Sequence, residues 1–196
     1  MQKLKRSDLW PLEQYAERRP EFRRQVLEHK RTRQVGLGPH ARVYFEDRLT
    51  IQYQIQEMLR IERIFESAAI QDELDAYNPL VPDGGNWKAT FMIEYEDPGE
   101  RQAALERLSG IEDRVWLQIA GHEKIYAIAD EDIERERDGK TSAVHFLRFE
   151  IPRAAAAAVL AGAGMGMGID HPNCMIESIS VAPEVLTSLR NDLDPV

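Results

Sequence analysis

The spacing of apolar residues is helical in much of residues 1–80. Ser7 and Asp8 predict the start of one helix, and Pro20 predicts the start of a second that ends near Arg33. We therefore expect two helices with a break between them. Each would bury one apolar side, and the remainder of their surface would be strongly basic.

After these helices, residues 35–37 and 42–46 alternate like the two strands of a short hairpin around the turn 38–40. The segment 49–55 is ambiguous, because its apolar and polar residues also alternate strictly, as they do in a half-buried strand. We predict a helix there, because the residues that follow are helical in pattern and no turn residue interrupts them. Asp47 would be the N-cap of this helix.

Glu62 interrupts the apolar face of the predicted helix. At about 100° per residue it points within about 40° of one direction shared by Ile51, Ile55, Met58 and Phe65. A carboxylate in that position is costly unless it is paired, protonated or bound to a ligand. We therefore expect Glu62 to be buried and to have a partner. A buried ion pair with Arg48 or Arg148 is favoured over a functional site.

The same segment is apolar on two sides, with Leu49, Tyr53 and Ile64 opposite Ile51, Ile55 and Phe65. Either a dimer or a central position within one chain would cover both sides. Charge is also unevenly spread, because residues 1–48 carry a net charge of +5 and residues 49–196 a net charge of −14. A basic start and an acidic body attract each other within one molecule or between two, so the sequence favours a homodimer.

Beyond the Pro- and Gly-rich loop at 81–86, the spacing becomes that of strands. Strands are predicted at 88–96, 114–120, 124–129, 142–151, 165–171 and 175–181. Helices are predicted at 70–77, 98–108, 153–161 and 183–193. The expected fold class is α+β, with N-terminal helices followed by a mainly antiparallel sheet with packed helices. We expect one domain over 1–196, mainly helical in 1–80 and sheet-rich in 81–196.

Composition narrows the class of protein. The net charge of −9 and the pI near 5.1 argue against a nucleic-acid or anionic-membrane binder. The longest uncharged run, 154–169, is too short and too rich in glycine for a membrane span. Cys174 is the only cysteine, so no intrachain disulfide can form and a cytoplasmic location is expected.

Common catalytic signatures are absent from the sequence, including a Walker loop, a Gly-x-Ser-x-Gly elbow and a His-Glu-x-x-His helix. The glycines at 164, 166 and 168 lack the strand and helix that a dinucleotide-binding loop requires. We interpret them as a strand with one bare side, against which a large side chain or another backbone can lie closely.

Four residues are candidate metal ligands: Glu62, His145, Asp170 and His171. Two imidazoles and two carboxylates suit iron, manganese or zinc, but no short ligand spacing places the four together. His145 shares a strand face with Ala143, Leu147 and Phe149, so an inward-pointing core histidine is favoured. Asp170 and His171 end a strand, where a binding site and a capped turn are equally good explanations. His29 carries no separate signal.

Several stretches together resemble a bacterial family of proteins of this length that is known only as a domain of unknown function. They are LGPH at 37–40, FEDR at 45–48, QEMLRIER at 56–63, ELDAYNP at 73–79, IEDRVW at 111–116, IADE at 128–131, TSAVHFLRF at 141–149 and GIDHP at 168–172. The resemblance implies a single-domain bacterial protein and supplies no catalytic residues. It also implies a redox or peroxide-handling context, through neighbouring genes for rubrerythrin-like and iron–sulfur oxidoreductase proteins.

From these observations we expect an accessory or interaction protein that acts in such a redox context. It would be a homodimer with a protein partner in a redox system, and it would bind neither nucleic acid nor membrane. The alternative is a metal-dependent or acid–base enzyme that uses Glu62 with His145 or His171. An enzyme requires a concave pocket where titratable groups converge, whereas a binding module could present only a flat patch.

Overall fold

The computed structural model describes residues 2–129 and 141–195, and within these residues it is an α+β protein. The described helices are α1 (Leu12–Arg31), α2 (Arg48–Glu62), α3 (Ser67–Tyr77), α4 (Pro98–Arg107), α5 (Arg153–Leu160) and α6 (Pro183–Arg190). The described strands are β1 (Gln34–Gly36), β2 (Ala41–Glu46), β3 (Asn86–Ile93), β4 (Val115–Ile119), β5 (Lys124–Tyr126), β6 (Ile128–Ala129), β7 (Val144–Glu150), β8 (Met165–His171) and β9 (Cys174–Ser180). The predicted fold class is confirmed.

The strands form two antiparallel sheets where the sequence predicts one. The first sheet has the order β1-β2-β3-β7-β6, and the second has the order β5-β4-β8-β9. Alternate residues of the first sheet, such as Trp87 and Phe149, share one apolar core with Leu117 and Met167 of the second sheet and with side chains of α4, α5 and α6. The opposite face of the first sheet is therefore free to meet the N-terminal helices. Among the described residues, no helix is both long and apolar enough to cross a membrane.

Helix α1 is continuous through Pro20, so the predicted break between two helices is wrong. A proline inside a helix removes one hydrogen bond, because it has no N–H to donate to the carbonyl four residues earlier. Ala16, which provides that carbonyl, and Pro20 itself are both exposed, so water can satisfy the lost bond. The buried stripe of Tyr15, Phe22 and Val26 holds the two halves of the helix in line.

The predicted hairpin and the predicted helix after it are both confirmed. Strands β1 and β2 pair antiparallel, and the segment 49–55 lies within α2. Asp47 is the N-cap of α2: its carboxylate accepts a hydrogen bond from the Thr50 backbone N–H at 2.9 Å. The Thr50 hydroxyl accepts in return from the Asp47 N–H at 2.9 Å. This reciprocal cap fixes where the strand ends and the helix begins.

The prediction that Glu62 is buried is wrong. Helix α2 ends at Glu62, because Arg63 adopts the left-handed conformation with φ of 56° and the Ile64 N–H donates back to the Leu59 carbonyl. Glu62 is exposed, and Phe65 is 64% exposed. The helical period therefore stops before Phe65, which is not part of the apolar face. The favoured arginine partners have other carboxylates, since Arg48 pairs with Asp8 and Arg148 with Glu150.

The two apolar sides of α2 are covered within one chain. On one side, Leu49 and Tyr53 pack against the stripe of α1. On the other, Ile51, Ile55 and Leu59 pack with Ile70 and Leu74 of α3. Helix α2 is thus the centre of the helical part, and its two-sided pattern needs no second subunit.

Glu57 adds a polar link between α1 and α2. Its carboxylate accepts hydrogen bonds from the Arg19 guanidinium and the Tyr15 hydroxyl, each at 2.7 Å. The bond from Arg19, with a smaller contribution from Tyr15, lowers the pKa of Glu57 to about 2. The charged carboxylate therefore persists at any pH at which the protein is studied under ordinary conditions.

The glycine-rich strand behaves as predicted at Gly166 and Gly168, whereas Gly164 lies before β8 and has nothing within 4 Å of its side-chain position. Gly168 lies beneath the Trp116 indole ring, and a side-chain carbon at this glycine would overlap that ring and lie 2.5 Å from the Ile176 carbonyl oxygen. A carbon at Gly166 would overlap the Ser178 side chain. The bare side of β8 thus lets the Trp116 ring from β4 cross it.

Candidate ligand-binding cleft

The four candidate metal ligands have separate surroundings in the structure. Glu62 is exposed at the end of α2, His145 lies on β7 of the first sheet, and Asp170 and His171 lie on β8 of the second. Within the described ranges, no group of three or more His, Cys, Asp or Glu side chains is arranged to hold a metal ion. The structure therefore does not bring the four together, and metal binding by them stays a prediction of the sequence.

His145 is fully buried, as predicted for an inward-pointing core histidine. Its Nε2 atom lies 2.8 Å from the Thr141 hydroxyl and 2.9 Å from the Ser142 carbonyl oxygen. The Glu112 carboxylate is 3.7 Å away and also accepts from Thr141. These polar contacts make His145 a satisfied group of the core.

Asp170 and His171 point to opposite sides of the second sheet. The His171 ring is buried, approaches the Ser109 carbonyl oxygen at 3.1 Å, and accepts from the Asn173 N–H at 3.2 Å, which supports the capped-turn explanation. Asp170 accepts hydrogen bonds from three neighbours: Trp116, Lys124 and Tyr126. The bond from Tyr126, followed by that from Lys124, lowers the pKa of Asp170. All its partners come from strands β4 and β5, so it fastens the second sheet across three strands.

Arg33 is the centre of a buried polar network that the sequence did not reveal. Its side chain is 2% exposed and forms an ion pair with Asp192, which is equally buried. The guanidinium also donates to the Phe45 and Glu46 carbonyl oxygens, at 3.1 and 3.2 Å. This network joins the end of α1, the end of β2 and the residues that follow α6.

Asp47 and His29 extend the network toward the surface. The Asp47 carboxylate lies 3.5 Å from Arg33 Nε and 2.5 Å from His29 Nε2. Burial alone would raise the pKa of Asp47, but the His29 hydrogen bond and the Arg33 charge together outweigh burial and lower it. His29 thus has a structural partner, although its position in a basic helix gave no hint of one.

A cleft lies beside this network, between the outer face of the first sheet and the helical part of the chain. Its volume is about 430 Å³, within the range of roughly 300–1,000 Å³ that is typical of small-molecule sites. The apolar lining consists of Ile51, Leu80, Met92, Val144 and Phe146. The polar lining consists of Lys30, Tyr44, Glu46, Thr50, Gln54, Tyr77 and Thr90. The first sheet forms one wall of the cleft. Its register places three lining side chains next to one another, because Tyr44 pairs with Thr90 and Thr90 with Phe146 across adjacent strands.

Glu46 is the buried acid of this cleft, with 8% of its surface exposed. One carboxylate oxygen accepts from the Thr90 hydroxyl at 2.7 Å, and the other accepts from the Thr50 hydroxyl at 2.6 Å. The Thr50 hydroxyl belongs to the helix cap as well, because it accepts from the Asp47 N–H and lies 3.1 Å from the Asp47 carbonyl oxygen.

No ion pair among residues 2–129 and 141–195 includes Glu46. A buried carboxylate bonded only to neutral hydroxyls is unusual, because burial removes the water that stabilises its charge. The sequence does not single out Glu46, because its strand position predicts only a polar outer face. The available signal was its place in the FEDR stretch at 45–48, directly before a helix cap.

Comparisons with known proteins agree with the resemblance seen in the sequence. The family DUF3501, described as a protein of unknown function, matches residues 3–193. A crystal structure of a novel protein of unknown function from Burkholderia pseudomallei K96243 is 53% identical and superimposes with a TM-score of 0.95, covering 98% of this chain and 100% of the other. A search of the curated proteins finds no match.

Proposed function

Because this chain belongs to the DUF3501 family of proteins of unknown function, we propose from the geometry of its cleft that it is an accessory protein that binds a small organic molecule. The observation that carries the proposal is the buried carboxylate of Glu46 at the wall of a cleft of about 430 Å³. A few polar groups that converge in a largely apolar cavity are the usual features of a specific ligand site.

The position of the cleft adds support. It is built from Tyr44, Thr90 and Phe146 of a rigid sheet on one side and from α2 on the other. The Arg33 network and the Asp47 cap hold the junction between β2 and α2, so Glu46 is fixed in place before a ligand arrives. A preorganised carboxylate binds its partner without a further ordering cost.

Protein-detected NMR with a library of small-molecule fragments tests this proposal. We expect bound fragments to shift the backbone resonances of residues that line the cleft. Met92→Trp, which fills the cleft, should weaken binding by at least about tenfold, or about 1.4 kcal/mol. Leu27→Trp is the matched control, because Leu27 lies on the outer side of α1 and is 45% exposed. Fragments that bind Met92→Trp as tightly as the native protein would refute the assignment.

Three expectations from the sequence belong to the same proposal: a homodimer, a cytoplasmic location and a protein partner in a redox or peroxide-handling system. Burial raises the pKa of the Cys174 thiol, which makes this cysteine a poor nucleophile. The uneven charge and the exposed Ile61 and Phe65 favour self-association. Light scattering that gives only the 22.5 kDa monomer at all concentrations would exclude the dimer.

A further inference from the structure

We propose that the ligand of the cleft is a primary monoamine with an apolar body, whose ammonium group binds the Glu46 carboxylate. This inference rests on the proposed function, since it requires that the cleft binds a small molecule. It specifies the chemical class of that molecule from the charges and hydrogen bonds of the cleft wall.

Charge is the first reason. The Glu46 carboxyl group is buried, and within the described part of the chain no lysine, arginine or histidine forms an ion pair with it. Removing one partner from a buried ion pair is strongly unfavourable, because the remaining charge is uncompensated. An organic cation would form an ion pair with the Glu46 carboxylate. A neutral ligand would leave the carboxylate without a cation, and an anionic ligand would be repelled by it.

Hydrogen-bonding capacity is the second reason. Each oxygen of an ionised carboxylate can accept about two hydrogen bonds, and Thr50 and Thr90 occupy one position on each oxygen of Glu46. An ammonium group has three donors and can use the positions that remain. Tyr44 and Tyr77 also line the cleft, and aromatic rings attract cations through the negative charge of their faces.

The rest of the lining defines the remainder of the ligand. Met92, Val144 and Phe146 provide an apolar wall, which favours a hydrocarbon or aromatic body over a second polar group. Lys30 lines the same cleft, so a second cation on the ligand would be repelled. A bare divalent metal is a poor fit, because such ions require several oxygen ligands and Glu46 is the one carboxylate among the described residues that line the cleft.

Calorimetric titration at pH 7 with three probes of similar shape tests the inference: 2-phenylethylamine, 2-phenylethanol and 3-phenylpropionate. We expect the amine to bind at least about tenfold more tightly than the alcohol and the acid. In Glu46→Gln the preference for the amine over the alcohol should fall below about twofold, with alcohol binding unchanged. Glu177→Gln is the control, because Glu177 is an exposed residue of β9 in the second sheet and does not line the cleft.

Lys30→Met provides a second test that does not alter the buried acid. Removal of the like charge should strengthen the binding of 2-phenylethylamine. It should also allow 1,6-diaminohexane to bind, which we do not expect in the native protein. An amine preference that persists in Glu46→Gln, or an alcohol that binds the native protein as tightly as the amine, would overturn the inference. If NMR fragments occupy the cleft but none of the amines does, the monoamine is wrong and the binding function stands. If nothing enters the cleft, both fail.

Discussion

Replacement of Arg33 by methionine is expected to lower the free energy of unfolding by about 3–5 kcal/mol, because it leaves Asp192 buried without its cation. The guanidinium also donates to the Phe45 and Glu46 carbonyl oxygens, so the variant loses hydrogen bonds at the end of β2. Urea denaturation followed by circular dichroism measures the change. A loss below about 1 kcal/mol would show that the network contributes little.

Two controls separate this effect from general sensitivity to substitution. Arg24→Met removes an exposed pair with Glu21 and should cost less than about 1 kcal/mol. The double variant Arg33→Met with Asp192→Leu should recover much of the loss, because well-packed apolar residues can replace a buried ion pair.

The effect of Arg33→Met should also depend on pH. Burial raises the pKa of Asp192 to about 6 in the native protein, although the Arg33 charge opposes this increase. Without Arg33 the pKa of Asp192 should rise further, so the folded variant binds a proton that the unfolded chain releases. Its stability relative to the native protein should therefore improve as the pH falls from about 8 to about 5.

Gly168→Ala is expected to lower the free energy of unfolding by about 3 kcal/mol, because a methyl group there would overlap the Trp116 ring and the Ile176 carbonyl. Neither neighbour can move easily, since Trp116 is buried and the carbonyl belongs to β9. The same denaturation experiment measures the loss.

Gly164→Ala is the matched control for this variant. Nothing lies within 4 Å of a side-chain carbon at Gly164, and its φ is outside the left-handed region. Alanine there should be neutral or stabilise by less than about 1 kcal/mol, because it restricts the unfolded chain. Equal losses of stability in the two variants would mean that the backbone flexibility of glycine determines the effect, and that the space beneath Trp116 does not.

The sequence predicts features that depend on neighbouring residues. The Asp47 cap places the start of α2 correctly, and the bare glycine side of β8 is visible in the spacing at 164, 166 and 168. The inward direction of His145 follows from the apolar residues that share its strand face. For the cap and for His145, the physical cause acts within a few residues of the chain, whereas the ring that lies over Gly168 comes from Trp116 of β4.

Other features depend on where an element stops or on what packs against it. Glu62 was predicted to be buried because the helical period was continued beyond Arg63, whose left-handed conformation is not favoured by arginine. The polar outer face of β2 predicts a solvated Glu46, but packing of α2 covers it. Local periodicity shows neither effect, because Arg63 ends the helix through a backbone conformation that its residue type does not favour, and the burial of Glu46 arises from tertiary packing.

The contact between Arg33 and Asp192 spans 159 positions of the chain. During synthesis, the arginine therefore leaves the ribosome long before the aspartate that pairs with it. A chain truncated before residue 192 would lack this contact and would hold an uncompensated cation at the junction of β2 and α2, the junction that also positions Glu46.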